Sequence, residues 1–283
     1  MDYESVLQAA IRAAKKSGAK IEKHYINYHN ERARFALEKK ESRNSSSKDD
    51  KEIGSMIRPM LLKAFPDFGY YSEETSRKSA PRYEWTVDET DGTTQKALHI
   101  PYFSIAIGVN DLERRKTVVS VIYNPITHEF FSTTEGKPSM YTNFKTAEKH
   151  KMQVTPGTDF KQMIVLYNSN MDVPKAYDIY KQIYEKLFDS FRISPILFSS
   201  DLDMTKVADG LAGAVISPRT APYDHISSLI VENAGGLVFA PDGSEFDPMR
   251  RGIIAVNHKK TFDRLEDLGI IDLCKEINRI SPR

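Results

Sequence analysis

The apolar residues change their spacing twice along the chain, and that succession restricts the fold more than any single residue does. Val6, Ala10, Ile11, Ala14 and Ile21 recur near helical spacing behind Asp2, a residue type suited to cap a helix, which predicts an amphipathic helix over residues 3–24. Ile53, Ile57, Leu61 and Ala64 restore the stripe, and Pro59 inside it removes a backbone hydrogen bond, predicting a kink or a division. The runs FGYYS, EWTVD, YFSIAIGV, TVVSVIYNP and EFFSTTEG that follow are short, aromatic and β-branched, and they read as a sheet with mainly hairpin-like connections. After MIVLYN, helical and strand patterns interleave: a helix over residues 174–188, a strand at RISPI, a helix at SDLDMTKVADG and a strand at AGAVIS. A helix at DHISSLIVENA closed by Gly235-Gly236, strands at GLVFA and GIIAV, and a last helix complete the series. No internal repeat, low-complexity linker or clean boundary separates the halves, so they are expected to share one interface rather than a flexible tether.

Composition narrows the function classes. With 283 residues, 40% hydrophobic and 28% charged, the chain can bury a substantial core, and a formal net charge of +1 gives no overall field toward nucleic acid or anionic lipid. Any bound anion must be held locally. The lone Cys274 excludes an intramolecular disulfide framework and a cysteine-based zinc cluster. The N-terminal stretch lacks a continuous apolar signal core and no long apolar run follows, so a soluble, cytoplasmic protein is expected.

The chemistry concentrates in WTVDETDGTTQ. Trp85, Thr86 and Val87 favour a strand, which puts Asp88 where the chain leaves the sheet, and Asp91 can converge with it across Glu89-Thr90. Two converged carboxylates repel unless a cation or a proton lies between them, and Mg2+ prefers such oxygen ligands. Gly92-Thr93-Thr94 would let backbone N–H groups approach a phosphate. On their own, these residues also suit a hairpin loop with solvated carboxylates, Glu73 and Glu74 suit an exposed acidic turn, and Asp224 suits a helix cap. The polar stretch EKKESRNSSSKDDKE reads as a mobile, solvated loop.

Taken together, EWTVDETDGTTQKALHIPYFSIAIGV and APYDHISSLIVENAGGLVFAPDG resemble the two signatures of the inositol monophosphatase family. Those signatures are roughly W-(I/V)-(I/V)-D-P-(I/L)-D-G-T-x-N-F and W-D-x-A-A-G-x-x-I-(V/L)-x-E-A-G-G. SEE matches the family's GEE ahead of the first signature, and VADGLAGAVI matches the segment before the second, so the resemblance spans essentially the whole chain. It implies a layered αβαβα sugar-phosphatase-like fold, with an α+β half over residues 1–150 and an α/β half over residues 151–283 carrying Asp224, commonly as a homodimer. It further implies a Mg2+-dependent phosphomonoesterase acting on a small phosphorylated metabolite, a sugar or polyol phosphate, while the charge balance leads to the expectation of neither nucleic acid nor membrane as partner. Carried over by position, Glu73, Asp88, Asp91 and Asp224 would be carboxylate metal ligands, joined by the Thr90 main-chain carbonyl. Gly92 and Thr93 would receive the phosphate, with Asp224 beside the substrate. Asp50, or its neighbour Asp49, would pair with the Thr93 hydroxyl to orient the attacking water, and Lys39 falls near a lysine that shields the site.

The chain also departs from the family pattern. Glu89 stands where proline is usual, Gln95 replaces asparagine, Tyr223 replaces tryptophan, and Ile226-Ser227-Ser228 replaces Ala-Ala-Gly. Glu89 is expected to face solvent on its turn, in preference to the alternative of an outer-shell partner for metal-bound water. The segment from Ile216 to Pro222 lacks the acidic residue with which inositol-phosphate enzymes hold substrate hydroxyls. The alternative to an active phosphatase is a diverged, catalytically weak homologue that binds a phosphate ligand or regulates.

Overall fold

The computed structural model describes residues 1–27, 38–39, 45–46, 48–169, 173–193 and 199–280. The chain opens with α1 (Tyr3–Ile26), whose N-cap Asp2 accepts a hydrogen bond from the Glu4 amide as its position predicts. A two-stranded pair follows, β1 (Glu38–Lys39) and β2 (Ser45–Ser46), and then α2 (Lys48–Ala64). Pro59 sits inside α2 without dividing it. The helix also begins earlier than its apolar stripe suggests: Asp49 and Asp50, expected in a solvated loop, are buried in its first turn. Lys39 lies in β1, and its side chain is outside the described residues.

A seven-stranded sheet carries the aromatic and β-branched runs: β3 (Gly69–Ser72), β4 (Tyr83–Asp91), β5 (Ser104–Asp111), β6 (Lys116–Asn124), β7 (Glu129–Thr134), β8 (Met140–Asn143) and β9 (Lys149–Lys151). Apart from the parallel pair β3–β4, its neighbours are antiparallel, the hairpin connectivity that the short runs imply. Between β4 and β5 lies the short helix α3 (Thr93–Ala97). The later elements are β10 (Ile164–Tyr167), α4 (Tyr177–Ser190), β11 (Arg192–Ile193), α5 (Ser200–Ala208), β12 (Ala214–Ser217), α6 (Ser228–Asn233), β13 (Leu237–Phe239), β14 (Ile253–Val256), α7 (Lys259–Asp267) and α8 (Ile270–Ile280). The strand expected at RISPI is described only as β11; residues 194–196 lie outside the described residues. The expected last helix is two, α7 and α8.

These later strands form a five-stranded sheet in the order β11-β10-β12-β14-β13, parallel at β11-β10-β12 and antiparallel beyond. Strand alternation sorts the core into layers. Ile105, Ile107 and Val109 of β5 pack toward α1 and α2, while Ala106 faces the opposite core together with Leu166, Val215 and Ala255 of the second sheet and residues of α5 and α6. Val165, Ala214, Ile216 and Val256 point the other way, onto α4, α7 and α8. The order of layers is therefore helix, sheet, helix, sheet, helix, as the αβαβα expectation has it. Helix α5 is sandwiched between the two sheets, and its N-terminus reaches β4 where the acidic residues lie. No described helix is long and apolar enough to cross a membrane.

Candidate active site

The site begins with a fault in a strand. Along β4 the pairing with β5 runs regularly to Asp88↔Ala106 and resumes at Asp91↔Ser104, so β4 holds one extra residue between those two pairs. Such a bulge re-aims side chains that an unbroken strand would send to opposite faces. Asp88 and Asp91 consequently meet Asp224, which a 3-10 turn at Pro222–His225 brings from the second sheet's side, with one oxygen of each within 4.8 Å of the others. The Asp224 carboxylate is steadied by the Ala221 amide at 2.6 Å.

Asp91 is held by the middle helix layer. Its carboxylate accepts from the Ser200 amide at 2.8 Å, the Asp201 amide at 2.9 Å and the Ser199 hydroxyl at 2.7 Å, so it sits on the positive N-terminal end of α5. Burial raises its pKa to about 6, and those three donors oppose the rise. Asp88 has no such set of donors: burial and then the charges of Glu73, Asp91 and Asp224 push it well above the usual carboxylate range. Asp224 is raised likewise, by burial and then by Asp91 and Glu73. Glu73 follows β3 and acts on both. Among the described residues none of the three clustered aspartates is ion-paired to Lys or Arg. Convergent, mutually repelling oxygen donors with no ion-paired Lys or Arg among the described residues fit a hard divalent cation such as Mg2+.

The residues after the bulge are tied to it. The Thr90 amide donates to Asp88 at 2.9 Å, and the Thr90 carbonyl accepts the Thr93 hydroxyl at 3.0 Å. Gly92 precedes α3 at φ 97°, the left-handed region, and a Cβ there would lie 3.0 Å from that of Phe103, so both backbone and space require glycine.

Behind this front lies an ionic layer that the sequence did not reveal. Lys96 of α3 is fully buried, donates to Asp50 and to the Thr90 hydroxyl at 3.2 Å, and stands 3.5 Å from Asp49. Asp49 in turn meets His24 of α1 at 2.7 Å. Asp50 is thus brought to the back of the site, but it pairs with Lys96 while Thr93 bonds to Thr90. The family signature has phenylalanine at the position of Lys96, and that exchange, together with the distant doubled aspartate Asp49-Asp50, was the available signal.

Glu89 corrects the expectation of a solvent-facing side chain. It is fully buried, with neither carboxylate oxygen hydrogen-bonded to a described residue, and a Cβ on Gly54 of α2 would lie 2.7 Å from its Oε1. Burial raises its carboxyl to about 8. Two of the other departures do find partners. Ser227 donates its amide and hydroxyl to the buried Asp201 at 2.7 and 2.6 Å, and the Tyr223 ring packs 5.7 Å from that of Tyr71. Asp203, also overlooked in the sequence, takes the Tyr102 hydroxyl at 2.8 Å and the Asn168 amide at 3.2 Å.

Comparison with known proteins agrees with this geometry. The family model described as the inositol monophosphatase family matches residues 2–269. Inositol monophosphatase 2 of Solanum lycopersicum is 29% identical over 265 residues, covering 90% of this chain and 94% of its own. Nus factor SuhB of Escherichia coli is 26% identical over 255 residues, covering 89% and 91%. The crystal structure of the extragenic suppressor protein SuhB from Bartonella henselae superposes with a TM-score of 0.82 at 23% identity, covering 93% of this chain and 98% of that one.

Proposed function

From the premise that the chain belongs to the inositol monophosphatase family, we propose that it is a Mg2+-dependent phosphomonoesterase that hydrolyses a small sugar or polyol phosphate. The observation that carries the reading is the meeting of Asp88, Asp91 and Asp224 within 4.8 Å on a strand bulge. Those three, with Glu73 and the Thr90 carbonyl, would hold the metal. Held there, Mg2+ would supply an electrophilic charge for the phosphate and lower the pKa of a water. The chain's own contribution is position. The amides at Gly92 and Thr93 would receive the phosphate, and Thr93, turning from the Thr90 carbonyl that its hydroxyl bonds here, would work with Asp50 to direct the water's proton, so that attack is in line with the phosphorus. The segment from Ile216 to Pro222 carries Ser217 and Arg219 but no acidic residue, which favours a substrate other than inositol monophosphate.

The test is release of inorganic phosphate across sugar, polyol and nucleotide phosphates, with Mg2+ and with chelator. Mg2+-dependent release from one class is the expected result. A second reading, a protein that binds a phosphate ligand or regulates, draws support from the name Nus factor carried by the Escherichia coli relative. It predicts Mg2+ and phosphate binding in calorimetry without turnover on any of these esters.

A further inference from the structure

A fully buried lysine is costly unless its charge is matched and its donors are used, and Lys96 meets both conditions with groups that border the acidic cluster. Its ammonium touches the Asp50 carboxylate and lies within ion-pair reach of Asp49. A third contact, to the Thr90 hydroxyl at 3.2 Å, joins it to the bulge itself. Thr90 is the junction of that bulge: its hydroxyl also donates to the Glu89 carbonyl at 2.8 Å, its amide donates to Asp88, and its carbonyl receives Thr93. One ammonium therefore braces a residue whose two backbone groups serve the candidate metal-ligand segment, and it holds the carboxylate expected to work with Thr93. Phenylalanine, the family's residue here, could do neither.

We infer that Lys96 is a positioning residue of this site and its built-in counter-charge, fixing Asp50 and Thr90 and offsetting part of the negative potential of the cluster. The inference rests on the phosphatase reading. Its two parts act on different measurements and with opposite sign. Without the brace, Asp50 and Thr90 lose their orientation and turnover falls. Without the positive charge, the neighbouring carboxylates attract a dication more strongly. A purely structural loss would weaken metal binding and turnover together.

The experiment compares wild type, Lys96→Met, Asp50→Asn and the double variant in steady-state hydrolysis of the best ester, in calorimetric Mg2+ titration and in thermal melts with chelator. Methionine keeps the length of the stem without the charge. Lys96→Met is expected to lower kcat about tenfold or more with KM within about twofold, and to bind Mg2+ about fivefold more tightly. In the Asp50→Asn background the same substitution should cost little further, because the two act as one unit. Loss factors that multiply, unchanged kcat, or Mg2+ binding that is unchanged or weaker in Lys96→Met overturns the inference while leaving the phosphatase reading in place. If the wild type binds Mg2+ but turns over no ester, the metal titration alone decides the role of Lys96. If the wild type binds no Mg2+, the phosphatase reading fails, and this inference with it.

Discussion

The front and the back of the acidic site handle buried negative charge in two different ways. At the front, Asp88, Asp91 and Asp224 crowd within 4.8 Å, their pKa values are raised by burial and by one another, and among the described residues they are bonded to amides and a hydroxyl rather than ion-paired to a Lys or Arg. At the back, Asp49 and Asp50 sit on His24 and Lys96, and Glu89 is pushed by burial toward its neutral form. The back is neutralised by the protein itself, and the front is left for a ligand to neutralise. A charge that is destabilising in the free protein becomes binding free energy for a cation. The contrast is a distinction between groups poised to bind and groups fixed in place.

The substitution with the largest expected effect tests the front. Asp91→Asn removes one charge from the cluster and one of the acceptors at the α5 N-terminus, while keeping its side-chain oxygen for the Ser200 or Asp201 amide. Turnover should fall about 10³-fold or more, as when a group that stabilises developing charge is lost. Mg2+ affinity measured by calorimetry should weaken as well. A variant that binds Mg2+ like the wild type would remove Asp91 from the ligand set and end the front-versus-back distinction.

Next in size are Thr93→Ala and Asp50→Asn, which sharpen the border between the two regions. Each is expected to lower kcat about 10²-fold, the scale of general-base assistance, with KM nearly unchanged. The double variant should be little worse than either single one, since a relay fails at its first break. If Asp49→Asn is damaging and Asp50→Asn silent in the same assay, the carboxylate that matters is the one on His24 rather than the one bonded to Lys96.

The front was legible in the sequence because its signals are local. An apolar run ending at Asp88, a glycine where only glycine fits, and short motifs in the right order all follow from backbone rules that act over a few residues. The succession of helices and strands was legible for the same reason, through the change from helical stripe to short strands, while the layered αβαβα order was an expectation of the family resemblance. The back was not legible, since nothing in SSSKDDKE marks it as buried. Its burial follows from Lys96, 46 positions from Asp50, and from His24, 25 positions from Asp49. The burial of Glu89 was hidden because Gly54, on another element, makes its room. Strands β8 and β9 were hidden because short, partly exposed strands at the end of a sheet carry little apolar pattern.

A smaller effect separates Glu89 from the front by its pH dependence. Its folded carboxyl lies at about 8, above the value of 4.5 for a free side chain. The folded state therefore holds a proton that the unfolded chain releases. The stabilisation is complete below about pH 4.5 and is lost as pH rises through about 8. In chelator, where no dication masks the effect, Glu89→Gln should flatten the decline of stability between those limits, a decline whose slope is at most roughly 1.4 kcal/mol for each step of one in pH. The clustered aspartates are raised in both proteins, so the difference between the two curves reports Glu89 together with its smaller charge effect on Asp88. Parallel denaturation curves across pH would place the Glu89 carboxylate in contact with solvent.

The smallest effect concerns the contact that seats Glu89. Gly54 lies within α2, where alanine is ordinarily preferred by roughly 1 kcal/mol. A Cβ at this position would come within 2.7 Å of Glu89 Oε1, closer than the two atoms can approach without movement. Overpacking a filled interior costs about 1–3 kcal/mol, so the helix preference and the clash oppose each other and a net loss of about 1 kcal/mol is expected for Gly54→Ala. If Glu89 is the cause, shortening it should reverse the sign: in the Glu89→Ala background, Gly54→Ala should stabilise the protein, because only the helix preference remains. Urea denaturation of the four proteins in the cycle measures the coupling directly. Additive changes would mean that Glu89 does not occupy the space beside Gly54, and the back of the site would lose one of the two ways in which it neutralises its own charge.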